Sequence, residues 1–181
     1  DGDWDFKVFT ADELSVSEET RIIEEWFQHM REVSDRVLNE RSALPKIFHW
    51  SYAELNFMKS AQRNREEAAG GATLPEWPEL PWFDFLKVMR GVPVVVKGAF
   101  GFGLKAIAKN LYKHGLIETS WEDGPVDGLG AMVGAWYCNR QVAETGQSMR
   151  DMDYMQEIEN YNEVDCKVMW ELVNYLRENH I

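Results

Sequence analysis

The sequence runs to 181 residues, 45% of them hydrophobic and 13% aromatic, which is enough for one packed domain and too little for two ordinary ones. Eight Trp, nine Phe and six Tyr exclude a disordered or low-complexity chain. Nineteen Lys and Arg against 31 Asp and Glu leave a net charge of −12, which argues against a basic nucleic-acid coat protein and suits an enzyme that offsets part of its acid with metal ions.

No apolar run approaches the roughly 20 residues of a membrane span, and the start lacks the basic-then-apolar pattern of a signal peptide. The expectation is an intracellular protein, cytoplasmic or nuclear, with no membrane partner. Cys138 and Cys166 have no CxxC neighbour, so neither a disulfide framework nor a zinc site is indicated. The sequence opens on Asp1 rather than Met, which reads as an excerpt or as the loss of something upstream.

In chain order, Trp4 to Phe9 alternates large apolar with charged residues, the pattern of a half-buried strand. Ser15-Val16-Ser17-Glu18 offers a capping box. Ile22, Ile23, Trp26, Phe27, Met30, Val33 and Val37 then recur at helical spacing, and this helix should end between Leu38 and Ser42. Lys46 to Trp50 reads as a short strand, with a second helix from Ser51. The Gly-, Ala- and Pro-rich stretch Ala68 to Pro81 is a surface connection. Val92 to Val96 reads as extended. Leu104 to Leu111 is a short amphipathic helix stopped at His114-Gly115. Trp121 to Gly128 is a loop, and Leu129 to Ala143 is helical. A last helix starts between Ser148 and Asn160 and reaches about Glu178. Helices alternating with a few short strands predict an α/β domain.

The last helix carries the sharpest chemical signal. Val164, Val168, Leu172 and Leu176 fall on one side, and Tyr161 and Asp165 sit inside that arc, one turn apart. A carboxylate on a core-facing stripe is costly unless it is hydrogen-bonded, paired or bound to metal. Asp165 therefore either faces a site at the edge of the core or caps a shorter helix starting at Cys166. Glu54 lies just past the strand Lys46–Trp50, where α/β sheets build sites, but Ser51-x-x-Glu54 is also a capping box. Asp84 is a lone acid among Trp82, Phe83 and Phe85; it either binds metal or hydrogen-bonds the chain locally. Lys105, Lys109 and Lys113 recur every four residues, forming either a phosphate-facing stripe or a solvated helix face. Gly101-x-Gly103 lacks the rest of a dinucleotide fingerprint.

Tyr161-Asn162-Glu163-Val164-Asp165 resembles the third motif, Tyr-x-x-x-Asp, of DEDD-type 3′–5′ exonucleases. The wider pattern resembles the RNase H-like branch found beside RecB-family and YprB-type nucleases and in large DNA viruses and phages. The residues that carry it are Phe9 to Leu14 leading into the first helix, Phe48-His49-Trp50 with Glu54, Trp82 to Leu86, Gly103 to Ala108, and the Tyr161–Cys166 box. The resemblance covers nearly the whole chain, residues 1–181, as one domain.

The resemblance implies an RNase H-like mixed sheet flanked by helices, here lacking its first two strands. It implies two-metal phosphodiester hydrolysis with Mg²⁺ or Mn²⁺, the ions about 3.5–4 Å apart, in DNA replication or repair. Asp165 and Glu54 would be metal ligands, and Tyr161 would orient the attacking water. Lys105, Lys109 and His49 would meet the nucleic acid, DNA rather than RNA. Asp84 and Ser51 would support the ligands from behind. The family's first motif, Asp-x-Glu, has no counterpart here; Asp3 and Asp5 are a weak substitute. The reading is then an exonuclease domain completed by an upstream segment or partner, or a catalytically inactive RNase H-like module that binds nucleic acid or protein.

Overall fold

A computed structural model describes residues 3–38, 44–92, 94–121 and 128–180. The elements are α1 (Val16–Leu38), β1 (Ile47–His49), α2 (Ala53–Ala68), β2 (Trp82–Asp84), α3 (Phe85–Gly91), α4 (Leu104–Lys113), α5 (Gly128–Thr145), a 3₁₀ turn (Met149–Asp151) and α6 (Asp153–Asn179). They fall into two compact units, Phe9–Gly91 and Asp1–Val8 with Val92–Ile181.

In the Phe9–Gly91 unit, α1 begins where its capping signal sits. The Ser15 hydroxyl accepts the Glu18 N–H at 3.3 Å, and Glu18 in turn accepts the Asp12 N–H at 2.7 Å. Glu18 and Glu25 both bind the Arg21 guanidinium, which strengthens its hold on its proton. Phe27 and Met30 are buried on the inner face of α1, and α1 packs on α2. Arg65 is the buried cation of this contact. It donates to the Pro75 carbonyl at 3.0 Å, approaches Glu24 at 3.3 Å and stacks on Trp77 at 4.9 Å. A charge this enclosed is tolerated because each of those neighbours offers it negative potential. β1 and β2 pair in parallel, Ile47 opposite Trp82 and His49 opposite Asp84, with α2 as the crossover that parallel strands require.

The other unit is built on α6, which runs for 27 residues. Val168 and Leu172 on its inner face are fully buried, as are Ile107, Ala108 and Leu111 of α4, which packs on it. Nearer its start, Met155 and Ile158 form a cluster with Cys138 of α5 and Met149 of the 3₁₀ turn. Burial pushes the Cys138 thiol pKa up. Gly134 lets α5 come close to α6, because a Cβ there would run into the Tyr154 ring.

The RNase H-like mixed sheet, with or without its first two strands, is not what this chain forms. The described residues are 62% helix and 4% strand, and their only sheet is the parallel pair β1–β2. The extended pieces expected as further strands find other partners. Trp4 turns its ring onto α6, tilted against the Trp170 ring and donating its indole N–H to Glu163 at 3.1 Å. The described part of Val92–Val96 is not in a strand; Pro93 lies outside the described residues, and a proline has no N–H to give a ladder. The expected loop residues from 122 to 127 and the first helix's exit from 39 to 43 also lie outside them. Among the described residues no helix is long and apolar enough to cross a membrane.

The Gly134 contact sets a sign. Alanine gains about 1 kcal/mol of helix propensity over glycine, but overpacking a helix interface costs about 1–3 kcal/mol, and the Tyr154 ring is a bulky neighbour. Gly134→Ala should lower stability by about 1–2 kcal/mol in urea titration, and Gly134→Ala/Tyr154→Ala should recover part of that loss. A more stable single variant would show that the ring yields freely.

Candidate functional site

The sequence-derived site residues divide between the two units. Tyr161, Asp165, Lys105 and Lys109 belong to the unit built on α6, and His49, Ser51, Glu54 and Asp84 to the other.

On α6 the helix is continuous through Asp165, so this acid is a mid-helix residue and not the cap of a shorter helix. Asp165 Oδ1 accepts the Trp121 indole N–H at 2.8 Å. That bond answers the cost of placing a carboxylate against the core. Trp121 is itself held in place by α6. Glu171, six residues on, accepts the backbone N–H groups of Glu118 and Thr119 at 2.8 and 2.9 Å and the Thr119 hydroxyl as well. Three donors on one carboxylate fix the strand of chain that delivers the indole.

Lys105, in the first turn of α4, places its ammonium 4.7 Å from the centre of the Tyr161 ring and 5.6 Å from the Trp121 ring. Both are cation–π distances. A cation, two aromatic rings and a hydrogen-bonded carboxylate therefore meet on one side of this unit. Lys109 follows one turn later, exposed. Helical spacing places Tyr161 and Asp165 one turn apart on α6, whereas nothing in that spacing points to Trp121 or Glu171. The signal for Trp121 was faint: a tryptophan in a loop, 44 residues before its partner.

In the other unit, Asp84 is a local anchor. Its Oδ1 accepts the Ser51 N–H at 3.2 Å and the Lys87 N–H at 3.4 Å. The second bond is the N-cap of α3. The first holds Ser51 at φ +79°, a left-handed conformation that costs a serine about 1–2 kcal/mol. Ser51 does not cap α2; the N-cap is Tyr52, without a side-chain bond. The expected Ser51-x-x-Glu54 capping box is thus replaced by a strained turn that Asp84 clamps.

His49 is only 2% exposed and lies edge-on to Trp82. So enclosed a ring meets no nucleic acid in this conformation, which corrects its expected place at the mouth of a site. Its Nδ1 lacks a hydrogen-bond partner and stands 3.8 Å from Glu54 Oε2, too long for a hydrogen bond.

Among the described residues no three His, Cys, Asp or Glu side chains group closely enough to hold a metal ion. A single Mg²⁺ makes a smaller demand, since it is commonly held by one or two carboxylates, waters and the substrate's own phosphates. Asp165 fits that donor set. Compared with known proteins, the chain matches no family model, no curated protein and no solved structure.

The Asp84 clamp generates a test. Asp84→Ala leaves the Ser51 and Lys87 N–H groups without their acceptor, and should cost about 1–2 kcal/mol in denaturant unfolding. Asp84→Asn keeps an acceptor oxygen and should cost less. Equal losses for the two variants would mean that the negative charge, rather than the hydrogen bonds, carries the effect.

Proposed function

We propose that the chain acts on nucleic acid, DNA before RNA, as part of a metal-dependent 3′–5′ exonuclease that hydrolyses phosphodiesters. The observation that carries this reading is the Tyr161-x-x-x-Asp165 pair on one side of α6, with Asp165 oriented by Trp121 and Lys105 seated on Tyr161. The sequence resemblance of this box to the third motif of DEDD-type exonucleases supports it.

The chain's own residues suggest a division of labour. Asp165 would hold Mg²⁺ or Mn²⁺ together with a substrate phosphate. When bound, the ion supplies charge stabilisation at the phosphoryl group and lowers the pKa of a water. Trp121 keeps the carboxylate in one orientation, as partners behind a metal ligand do. Tyr161 offers a phenol to align the attacking water. Lys105 places a positive charge beside the same rings and neutralises a backbone phosphate.

A second reading, binding of nucleic acid without turnover, draws support from the Asp165–Trp121 bond. An acid already engaged by an indole N–H also suits a purely structural role.

One assay separates the two. With Mg²⁺ or Mn²⁺ and a 5′-labelled single strand, the exonuclease reading expects stepwise release of mononucleotides from the 3′ end. Asp165→Asn should abolish it. Trp121→Phe should slow it about 10- to 100-fold, the usual effect of removing a group that orients a ligand. Tight binding with no metal-dependent release would replace the exonuclease reading with the second one.

A further inference from the structure

Phe100 is completely exposed, at 104% of its reference area, at the tip of the segment that leads into α4. A phenylalanine fully in water needs a reason, since its ring gains most from being covered. The segment beneath it is well anchored. Val96 is buried. The Ala99 N–H donates to the Val96 carbonyl at 3.0 Å, closing a tight turn. His114 Nε2 donates to the Lys97 carbonyl at 3.0 Å, tying the turn to the far end of α4. Gly98, at φ +92°, lies so close to Asn110 that a Cβ there would strike its side-chain amide. Asn110 is fixed in turn by donating to the Ala106 carbonyl at 2.8 Å. The base of the turn is therefore tied to α4 by the His114–Lys97 bond and lies close to Asn110, while Phe100 is left exposed.

The sequence of this segment and of α4 is one-sided in charge. From Val92 to Ile117 the sequence contains Lys97, Lys105, Lys109 and Lys113 and no Asp or Glu, in a chain of net charge −12. All four lysines are exposed. On α4 they recur every four residues, about 6 Å apart along the axis. An exposed ring on the segment leading into a helix that carries three exposed lysines offers the two features of a single-strand binding surface, a stacking platform and a positive track for the backbone.

We infer that the Lys97–Gly103 turn and the lysine face of α4 form a binding surface for single-stranded nucleic acid, with Phe100 stacking on an unpaired base. Single strand is favoured over duplex because paired bases hide their faces within the helix, whereas an unpaired base offers its face to a side chain. The anchored base of the turn limits the ordering cost of binding. This deepens the nucleic-acid reading above and rests on it for the identity of the ligand. Val95, 87% exposed on the same segment, makes an anionic membrane the rival occupant.

The test uses the whole chain in the presence of a chelator, so that no turnover intrudes. An oligothymidylate bearing one 2-aminopurine reports stacking by quenching of that base. Wild type should bind the single strand more tightly than the duplex and quench the probe. Phe100→Ala, at a solvent-exposed position, should weaken single-strand binding between about 5-fold and 150-fold, the range for one lost stacking contact, and abolish the quench. Phe100→Tyr should restore both. Lys105→Glu/Lys109→Glu should weaken binding and flatten its dependence on salt.

Unchanged single-strand affinity in Phe100→Ala overturns the proposal. So does Phe100-dependent binding to phosphatidylserine vesicles with no binding of the oligonucleotide. The two readings fail separately. Phe100-dependent binding without metal-dependent release sinks the exonuclease and keeps this surface. Release that is indifferent to Phe100→Ala, with unchanged affinity, does the reverse.

Discussion

Three carboxylates on α6 organise the unit that surrounds them. Glu163 takes the indole N–H of Trp4, Asp165 that of Trp121, and Glu171 the backbone of Glu118 and Thr119. Each reaches a segment far away in sequence that has no regular structure of its own. A hydrophobic stripe through Val168 and Leu172 holds α6 against α4, but hydrophobic contact is not directional. The acids add direction, because a half-buried carboxylate must find donors, and here the donors lie in the connecting chain. Remove those bonds and the segment carrying Trp121 loses its fixed place.

This arrangement links the fold to the proposed chemistry. Glu171 fixes the chain that carries Trp121, and Trp121 fixes the Asp165 carboxylate. The same indole, together with Tyr161, faces the Lys105 ammonium. α4 supplies that lysine and also anchors the turn that carries Phe100. Orientation of an acid, placement of a cation and presentation of an aromatic ring thus draw on the packing of one pair of helices. The Asp84–Ser51 clamp in the other unit follows a similar logic on a smaller scale, with one carboxylate imposing a strained turn.

The helices were legible in the sequence because their signals are local. Ser15 and Glu18 mark the start of α1, and the spacing of Leu104, Ile107, Ala108 and Leu111 marks the buried face of α4. The pairing of Tyr161 with Asp165 follows from the same 3.6-residue period. Of the sheet, β1 was legible as the short strand read at Lys46–Trp50, but its parallel pairing with β2 was not. Alternation in Trp4–Phe9 predicts a surface with one apolar side, yet it cannot say whether that side meets a neighbouring strand or, as with Trp4, a helix. The resemblance to DEDD-type exonucleases supplied strands that the residues themselves do not form. The Trp121–Asp165 and Asp84–Ser51 bonds were out of reach for a related reason. Each joins residues 33 or more positions apart, and short-range periodicity carries no information at that distance.

We propose that Asp165, held by Trp121, is where this chain meets a metal ion and a nucleic-acid phosphate. Paramagnetic Mn²⁺ titrated into ¹⁵N-labelled protein with a bound single-stranded oligonucleotide tests it most directly. Each of the eight tryptophans gives an indole N–H resonance, and that of Trp121 lies on the Asp165 carboxylate. The account predicts that the Trp121 resonance broadens first, and that Asp165→Asn removes this selectivity. Broadening no greater at Trp121 than at the other indoles, or equal broadening in Asp165→Asn, would contradict it.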